Sequence, residues 1–381
     1  MCAGEEDIPA VRSENTLPSV PGSEARVTEA PPLPALILHP SADITQKSMR
    51  ALVLRQTSFG IEDVELPPLQ PGEARVRVLA AALNRRDEWI RQGRYARIQY
   101  PAILGSDGCG VVEAVGSEEH RQWVGKLVVI NPSLNWGDNP RAQGRAYEIL
   151  GMPRAGTLAE YVHVPVEQLF EKPPHLSIEE AAALPLAGLT AYRALFTQGQ
   201  LRPQQRVLIT GIGGGVAVLA LQFAVAADAR VYVTSGRAEK IERAQVLGAL
   251  GGVTYTHAEW GRLLLELADG EFELVVDSAG GDPFNVLLTV AAPGGTIVTY
   301  GATLGAVPQL NLHRVFWRQL RIIGSTMGTA EEFAAMLRFV EQHQLVPVVD
   351  SVFAFERVLD AFERLRSEEH MGKVVVRIAQ G

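Results

Sequence analysis

The sequence predicts an α/β protein in which a parallel, doubly wound sheet is joined to a β-rich part. The first observation is the stretch Arg206–Ala227, where a short apolar run meets a cluster of glycines and then a long apolar segment. The second is the alternation of short β-type runs and helical segments over residues 230–326, which is typical of a parallel sheet covered on both faces. The third is a set of short runs between 49 and 164 in which apolar and polar residues alternate, as they do in strands.

Length and composition limit the class of protein. At 381 residues the chain exceeds a typical single core, so two domains are expected. Hydrophobic residues make up 47% of the chain and charged residues 20%, as in well-packed globular proteins. A formal net charge of −8 argues against a nucleic-acid partner or an acidic membrane surface, and no apolar run is long enough to span a bilayer.

Residues 1–48 differ from the rest of the chain. They are rich in Pro, Ser, Glu and Ala, and they contain seven acids against three basic residues. This composition predicts a disordered extension rather than a secretory or organellar leader, and the expected location is cytoplasmic. Because Met49 opens the first periodic segment, an overcalled start codon is the alternative. Two cysteines, Cys2 and Cys109, are too few for a disulfide framework or a cysteine-rich zinc site.

The β-rich part is predicted from the alternating segments. Strands are expected at 49–56, 73–83, 104–116, 126–130 and 157–164, with a polar segment at 84–101. A helix is expected over 177–196, because Ser177 with Glu180 three residues later has the spacing of a capping box. Pro185 should interrupt this helix.

The second part is predicted to alternate strands and helices. After the glycine cluster we expect a strand at 230–235, a helix at 238–249 ended by Gly251 and Gly252, and a short strand at 253–255. The remaining strands of the block are expected at 273–278, 296–301 and 320–326, with helices at 257–270 and 283–291. The helices and strands that follow residue 326 are expected to pack back on the β-rich part.

The glycine cluster carries the clearest chemical signal. The apolar run Val207–Thr210 leads into Gly211, Gly213, Gly214 and Gly215, and a helix is predicted directly after them. Glycines let the backbone approach a pyrophosphate, and the helix N-terminus offers free N–H groups and the positive end of a dipole. The order of strand, glycine turn and helix therefore predicts a dinucleotide-binding unit. A glycine-rich turn without a ligand is the alternative.

Seven motifs occur together along the ordered chain, and their joint order and spacing are far more specific than any one of them. They are NRRD at 84–87, PAILGSDGCGVV at 101–112, LPLAGLTAYRAL at 184–195, the glycine cluster, VVDSAGG at 275–281, VTYGAT at 298–303 and HMGKVVV at 370–376.

In these motifs the chain resembles the medium-chain dehydrogenase/reductase superfamily, and within it the zinc-free quinone reductase and enoyl reductase branch. The resemblance implies a GroES-like β-rich catalytic domain at 49–187, an inserted Rossmann domain at 188–326 and a return to the catalytic domain at 327–381. It also implies a homodimer formed through the edge of the Rossmann sheet. The glycine cluster does not keep a strict G-x-G-x-x-G pattern, and the quinone reductase form fits better, with Ala217 in the last place.

The end of the second strand of the parallel sheet predicts which nicotinamide cofactor is bound. An NAD site has an Asp or Glu there, which bonds the ribose 2′-hydroxyl. Here Ser235 occupies that place and Arg237 and Lys240 follow, a set that suits a 2′-phosphate. In the resembling reductases, residues at the positions of Lys240 and Tyr255 hold this phosphate. NADP(H) is therefore predicted; the alternative is that Arg237 and Lys240 are solvated charges at a helix start.

No metal site is predicted. In the alcohol dehydrogenase branch two cysteines and a histidine bind the catalytic zinc, and the resemblance aligns Asn84, Ser106 and Leu186 with them, beside Asp107. These residues are not a zinc ligand set. A Lewis-acid mechanism of alcohol oxidation would lack its electrophile.

Catalytic residues are implied by the same resemblance. Reduction of a C=C bond conjugated to a carbonyl needs a hydride donor, a donor to the enolate oxygen and a proton source. Asn84 and Asp87 match the family's N-x-x-D pair, and Tyr95 matches the tyrosine that acts as acid in enoyl reductases; a tyrosine that only lines the cleft is the alternative. Further cofactor contacts are implied for Thr190, Gly211, Gly213, Gly214, Gly215, Val216, Tyr300, Gly301 and Lys373. A solvated lysine is the alternative for Lys373.

Three other features have weaker signals. Cys109 follows a glycine in an expected buried strand, which favours a small core residue over a nucleophile. Trp136 and Tyr147 lie in a long polar segment, 131–151, which either covers the site and shapes substrate choice or only packs on itself. The segment Asn311–Trp317 is expected to help form the substrate pocket.

Two classes of function follow. The leading hypothesis is an NADPH-dependent reductase of a small electrophile, namely a quinone, an enone or another activated C=C or C=O compound, that works without zinc. An alcohol or aldehyde dehydrogenase of the same superfamily is the enzymatic alternative. A sensor that binds NADPH without turnover is the non-enzymatic one.

Overall fold

The computed structural model describes residues 48–379. The predicted extension at 1–48 lies outside the described residues except for Ser48, which opens the first strand. Ten short strands and one helix form the β-rich part: β1 (Ser48–Leu54), β2 (Phe59–Glu65), β3 (Glu73–Ala82), α1 (Arg85–Arg91), β4 (Ala102–Ile103), β5 (Asp107–Val115), β6 (Leu127–Ile130), β7 (Ser133–Leu134), β8 (Glu148–Ile149), β9 (Tyr161–Pro165) and β10 (Leu169–Glu171).

Helices and parallel strands alternate in the middle of the chain. They are α2 (Ile178–Ala182), α3 (Pro185–Tyr192), β11 (Arg206–Ile209), α4 (Gly215–Ala226), β12 (Arg230–Ser235), α5 (Ala238–Val246), β13 (Gly251–Thr254), α6 (Trp260–Ala268), β14 (Phe272–Asp277), α7 (Phe284–Val290), β15 (Ala291–Thr299), α8 (Leu312–Trp317) and β16 (Arg321–Gly324). The last elements are α9 (Ala330–Gln342), β17 (Val349–Ala354), α10 (Val358–Arg366) and β18 (Lys373–Arg377).

The six strands β11 to β16 form one parallel sheet in the order β13-β12-β11-β14-β15-β16. This is the doubly wound order, in which the chain reverses direction across the sheet between β11 and β14. The strand cores are apolar because helices cover both faces. Helix α4 packs on this sheet with Ala217, Leu221 and Phe223 fully or almost fully buried. The predicted α/β class and the doubly wound sheet are confirmed.

The C-terminal strands β17 and β18 join the larger sheet of the β-rich part. The larger sheet has the order β10-β6-β5-β3-β18-β17, and β9 also pairs with β3. Strand β18 is antiparallel to β3, with Val376 opposite Ala81, and β17 is parallel to β18. Residues from near both ends of the described chain therefore meet in one sheet.

The helix starts follow the sequence more closely than the stops. Ser177 caps α2 and forms the capping box with Glu180, and a new helix begins at Pro185. The prediction that Gly251 and Gly252 end the helix expected at 238–249 was wrong. Helix α5 ends at Val246, ahead of Gly248 with its positive φ of 102°, and Gly251 already opens β13.

The fold gives the place of Cys109 and the character of the helices. Cys109 is fully buried in β5, and burial raises the pKa of its thiol to about 12, so it is a core residue. Among residues 48–379, none of the helices combines the length and the apolar character needed to cross a membrane.

Candidate active site

A cleft of about 630 Å³ opens where β11, β12 and β14 end, against the β-rich part. This is the point at which the order of a doubly wound sheet reverses and at which such sheets bind ligands. Fifteen of the sixteen residues predicted for the site line this cleft. They are Asn84, Tyr95, Thr190, Gly211, Gly213, Gly214, Gly215, Val216, Ser235, Arg237, Lys240, Tyr255, Tyr300, Gly301 and Lys373.

The glycine turn has the shape of a pyrophosphate cradle. Gly211 and Gly213 have φ values of 64° and 141°, in the region that favours glycine. Gly214 is the N-cap residue of α4, and a Cβ built on it meets no atom within 4 Å. The space above the helix N-terminus is therefore open, and the first turn of a helix has backbone N–H groups without intrahelical acceptors. A dinucleotide pyrophosphate fits this arrangement.

The end of β12 carries a buried hydroxyl where NAD sites carry an acid. Ser235 Oγ donates to the carbonyl of Ile212 at 3.4 Å and accepts the backbone N–H of Arg237 at 3.2 Å. These bonds fix the turn between β12 and α5. Arg237 is half exposed at the cleft, so its guanidinium is open to an anionic ligand.

Lys240 and Tyr255 extend this cationic corner of the cleft. Lys240 Nζ donates to the carbonyl of Glu368 at 2.6 Å, and burial together with the charge of Arg237 lowers the pKa of Lys240. The Tyr255 hydroxyl lies close over Gly236, where a Cβ would come within 2.8 Å of it. The four residues predicted for a 2′-phosphate thus lie in one part of the cleft.

The segment 367–372 is part of the cleft wall; of its residues only 370–372 belong to a motif named in the sequence, and 367–369 carried no signal. Glu369 pairs with Arg237 at 3.6 Å, and the Gly372 N–H donates to the Gly213 carbonyl at 2.9 Å. His370 is buried beside Lys240, and burial lowers the pKa of its imidazole to about 4. It is therefore neutral at neutral pH.

The opposite wall is organised around Lys373, which is buried rather than solvated. Its ammonium donates to the Leu83 carbonyl at 2.8 Å, to Asn84 Oδ1 at 2.6 Å and to Asp107 Oδ2 at 2.8 Å. Asn84 Nδ2 in turn donates to Asp107 Oδ2 at 2.9 Å. These contacts fix the orientation of the Asn84 amide.

Asp87 is the predicted site residue that does not line the cleft. Its carboxylate is completely buried and accepts the backbone N–H of Asn84 at 2.8 Å and that of Gly105 at 3.2 Å. Burial raises its pKa, opposed by the charge of Arg86 and by these two donors. Its placement in the catalytic group is corrected: Asp87 positions Asn84 from behind. The spacing N-x-x-D, with Asn at the cap of α1, is itself a capping signal.

Two of the three positions aligned with zinc ligands contact Asp107. Asn84 Nδ2 and the Leu186 backbone N–H donate to its carboxylate, at 2.9 and 2.7 Å. Ser106 Oγ instead donates to the Leu150 carbonyl at 2.7 Å. Across residues 48–379, no group of three or more His, Cys, Asp or Glu side chains is arranged to hold a metal ion. An amide, a hydroxyl and a leucine beside an ion pair do not fit zinc.

The remaining predicted residues take different places. Tyr95 and Thr190 line the cleft, and Thr190 Oγ1 donates to the Leu186 carbonyl at 2.8 Å. Trp136 and Tyr147 do not line it; they pack edge to face with ring centroids 5.3 Å apart. The segment Asn311–Trp317 does not line the cleft either. The expectation that this segment helps to form the substrate pocket is therefore not met in the cleft of a single chain.

Comparisons with known proteins agree with this architecture. Residues 70–174 match the family model of the alcohol dehydrogenase GroES-like domain, and residues 215–342 match that of zinc-binding dehydrogenases. A zinc-type alcohol dehydrogenase-like protein, YogA, of Leptosphaeria maculans is 34% identical over 334 residues, which cover 83% of this chain and 93% of the relative. A quinone oxidoreductase of Pseudomonas aeruginosa is 32% identical over 328 residues, with coverages of 83% and 95%.

Solved structures are similar over most of the chain. A crystal structure of an NAD-dependent alcohol dehydrogenase gives a TM-score of 0.81 at 39% identity and covers 87% of this chain and 100% of that one. The 2-octenoyl-CoA carboxylase reductase CinF, in complex with NADP and 2-octenoyl-CoA, gives 0.78 at 28% identity, with coverages of 88% and 89%.

A GroES-like domain joined to a dinucleotide-binding sheet, with the cleft between them, defines an oxidoreductase of the nicotinamide-dependent class. The chain belongs to the medium-chain dehydrogenase/reductase superfamily.

The open space above Gly214 generates a first prediction. Gly214→Ala adds a methyl group at a backbone position with φ −67° and ψ 149°, which alanine adopts freely, so the thermal midpoint should not fall. The methyl group occupies the cradle, and the dissociation constant for a nicotinamide dinucleotide should rise by about 10- to 100-fold, the loss of one or two charge-assisted hydrogen bonds. Fluorescence titration measures it.

Gly60→Ala is the matched control. Gly60 lies in β2, and a Cβ there also meets no atom within 4 Å, but it is not part of the cleft. Equal dinucleotide affinity in Gly214→Ala and in the wild type would contradict the cradle.

Proposed function

We propose that this protein is an NADPH-dependent reductase of quinones, enones or related activated C=C and C=O compounds, and that it works without zinc. The observation that carries the proposal is the wall of the cleft formed by Asn84, Asp107 and Lys373 with Tyr95, which we call the catalytic wall. Two of the residues aligned with zinc ligands, Asn84 and Leu186, contact the Lys373–Asp107 ion pair. Asn84 and Tyr95 also line a cleft with a dinucleotide cradle. The similarity to a quinone oxidoreductase supports the same class of reaction.

The chain's own residues supply binding and proton transfer. NADPH, when bound, supplies the hydride that adds to the carbon end of the activated double bond. Negative charge then develops on the substrate oxygen, which needs a positive group and a proton donor. Tyr95 is the proposed proton donor, because its phenol lines the cleft and its ring lies 5.3 Å from the Arg86 guanidinium carbon.

Oxidation of NADPH with a panel of quinones and enones tests this function. We expect NADPH-dependent turnover on at least one of them. In Tyr95→Phe, kcat for that acceptor should fall by about 100-fold or more, the usual contribution of general acid catalysis, with NADPH affinity unchanged.

Tyr192→Phe is the control, because Tyr192 packs against Phe196 and Phe339 outside the cleft and its hydroxyl should not matter for turnover. No turnover on any acceptor would refute the reductase. Unchanged kcat in Tyr95→Phe would leave the tyrosine as a wall residue.

An alcohol dehydrogenase is the second candidate. The specific observation in its favour is the structural likeness, at 39% identity, to an NAD-dependent alcohol dehydrogenase. Reduction of NAD⁺ by a panel of alcohols, with NADPH-dependent reduction of quinones and enones absent, would favour this candidate over the reductase.

We also propose NADP(H) as the cofactor, on the basis of the cationic corner formed by Arg237, Lys240 and Tyr255 and of Ser235 in place of an acid. Lys240→Ala should weaken NADPH binding by about 10- to 100-fold through loss of a charge-assisted contact. NADH has no 2′-phosphate and serves as the internal control. The dissociation constant of NADH should not change if Lys240 acts through the 2′-phosphate. Loss of the structural contact between Lys240 and Glu368 would instead weaken the binding of both cofactors. Isothermal titration calorimetry measures both constants, and equal weakening would contradict the assignment.

A homodimer through the edge of the parallel sheet remains a proposal supported by exposed residues. Strand β16 lies at that edge, and α8 before it exposes 62% of Phe316 and 82% of Trp317. A strand whose outer edge has no neighbour among the described residues, beside large apolar side chains, suits a symmetric pairing of two copies.

Light scattering after size exclusion should therefore give twice the chain mass for the wild type and a single chain mass for Trp317→Glu. Leu359→Glu on α10, also at an exposed leucine, should remain a dimer. An unchanged mass for Trp317→Glu would contradict this interface.

A further inference from the structure

Arg86 lines the cleft, and its guanidinium is buried and held in one orientation. It is the second residue of α1, and only 7% of it is exposed. Nη1 donates to Ser106 Oγ at 2.9 Å and to the Leu150 carbonyl at 3.0 Å, and Nη2 donates to the Met152 carbonyl at 3.3 Å. Three contacts from two different segments fix this cation in the wall.

No carboxylate in the described part of the chain forms an ion pair with Arg86, although the charge of Arg86 acts at longer range on the neighbouring Asp87 carboxylate. The three acceptors of Arg86 are uncharged, and among residues 48–379 no acidic oxygen lies within ion-pair distance of it. The neighbouring Asp87 carboxylate is directed to two backbone N–H groups. A buried charge without an ion-pair partner is unfavourable unless a ligand or a reaction supplies the opposite charge.

Arg86 also retains hydrogen-bonding capacity, unlike the other buried cation of the wall. All three protons of the Lys373 ammonium have acceptors. A guanidinium has five N–H bonds, of which Arg86 uses three, and its buried Nε has no acceptor among the described residues. The protein itself therefore uses all the donors of Lys373, whereas two N–H bonds of Arg86, one on the buried Nε and one on Nη2, have no acceptor among the described residues.

We propose that Arg86 binds the substrate oxygen on which negative charge develops, and so selects acceptors whose reduction passes through an enolate or a hydroquinone anion. This inference rests on the proposed reductase function. Tyr95 lies against the same guanidinium, so the cation and the proton donor would act on one oxygen. An alkene without a conjugated carbonyl has no such oxygen and is expected to be a poor substrate.

A stable phenolate tests the charge without any turnover. The probe is 4-nitrophenol, titrated by its absorbance in the presence of excess protein and without added cofactor. A fixed cation near the oxygen should lower the pKa of bound 4-nitrophenol by about 1 unit or more relative to free 4-nitrophenol. Arg86→Gln should abolish that shift. Arg94→Gln is the matched control, because Arg94 is exposed, lies next to Tyr95 and does not line the cleft.

The outcomes separate this inference from the reductase proposal. The same shift in Arg86→Gln, or no binding of 4-nitrophenol to the wild type, overturns the role of Arg86 even where quinones are reduced. A shift that depends on Arg86 supports it even where the reductase assay fails. If Arg86→Gln does not fold, a structure of the wild type with 4-nitrophenolate decides: its oxygen within hydrogen-bond distance of the guanidinium supports the role, and any other position overturns it.

Discussion

The buried ion pair between Lys373 and Asp107 is the interaction on which the rest of the site depends. It joins the start of β18 to the start of β5, and Asn84 at the cap of α1 is bonded to both partners. The Lys373 stem also lies against Gly215, where a Cβ would come within 2.5 Å of its Cδ. One side chain therefore sets the distance between the catalytic wall and the dinucleotide turn. Removal of either charge would leave the other buried without a partner, at a cost of about 3–5 kcal/mol.

The two walls of the cleft use different parts of the chain for recognition. The cradle at Gly211–Gly215 is made of backbone, which suits a pyrophosphate shared by every nicotinamide dinucleotide. The cationic corner and the catalytic wall are made of side chains, and those side chains are fixed by neighbours from distant segments, such as Glu368 for Lys240 and Ser106 for Arg86. A side-chain exchange can thus alter cofactor preference or substrate choice while the cradle stays intact.

Most of the fold could be predicted from the sequence because its strands and helices are marked locally. The buried strands β11, β12 and β14 are apolar runs, and glycines or capping residues stand beside them. The errors have a physical reason as well. Strand β2, which the sequence did not predict, carries three acids and has no fully buried position, so it lacks the alternation that marks a strand. In the site, the motifs located the cleft residues. Asp87 was predicted to be catalytic, but Asp107 is the carboxylate that pairs with Lys373. Sequence spacing does not tell which of the two carboxylates faces Lys373. Residues 370–372 belong to a motif, but the contacts of the segment 367–372 with Arg237 and Gly213 are long-range and leave no mark in the local sequence.

The pairing of β18 with β3 ties the site to the order in which the chain is made. Lys373 Nζ and its acceptor, the Leu83 carbonyl, are 290 residues apart in the sequence. Closing so long a loop has a large entropic cost that only the finished sheet and ion pair offset. On the ribosome, the segment that forms the parallel sheet emerges before β18. Until then β3 can pair with β5 and β9 but not with β18. The dinucleotide cradle is thus synthesised before the lysine that completes the catalytic wall, and a chain that stops short of β18 has a cofactor turn but no assembled active site.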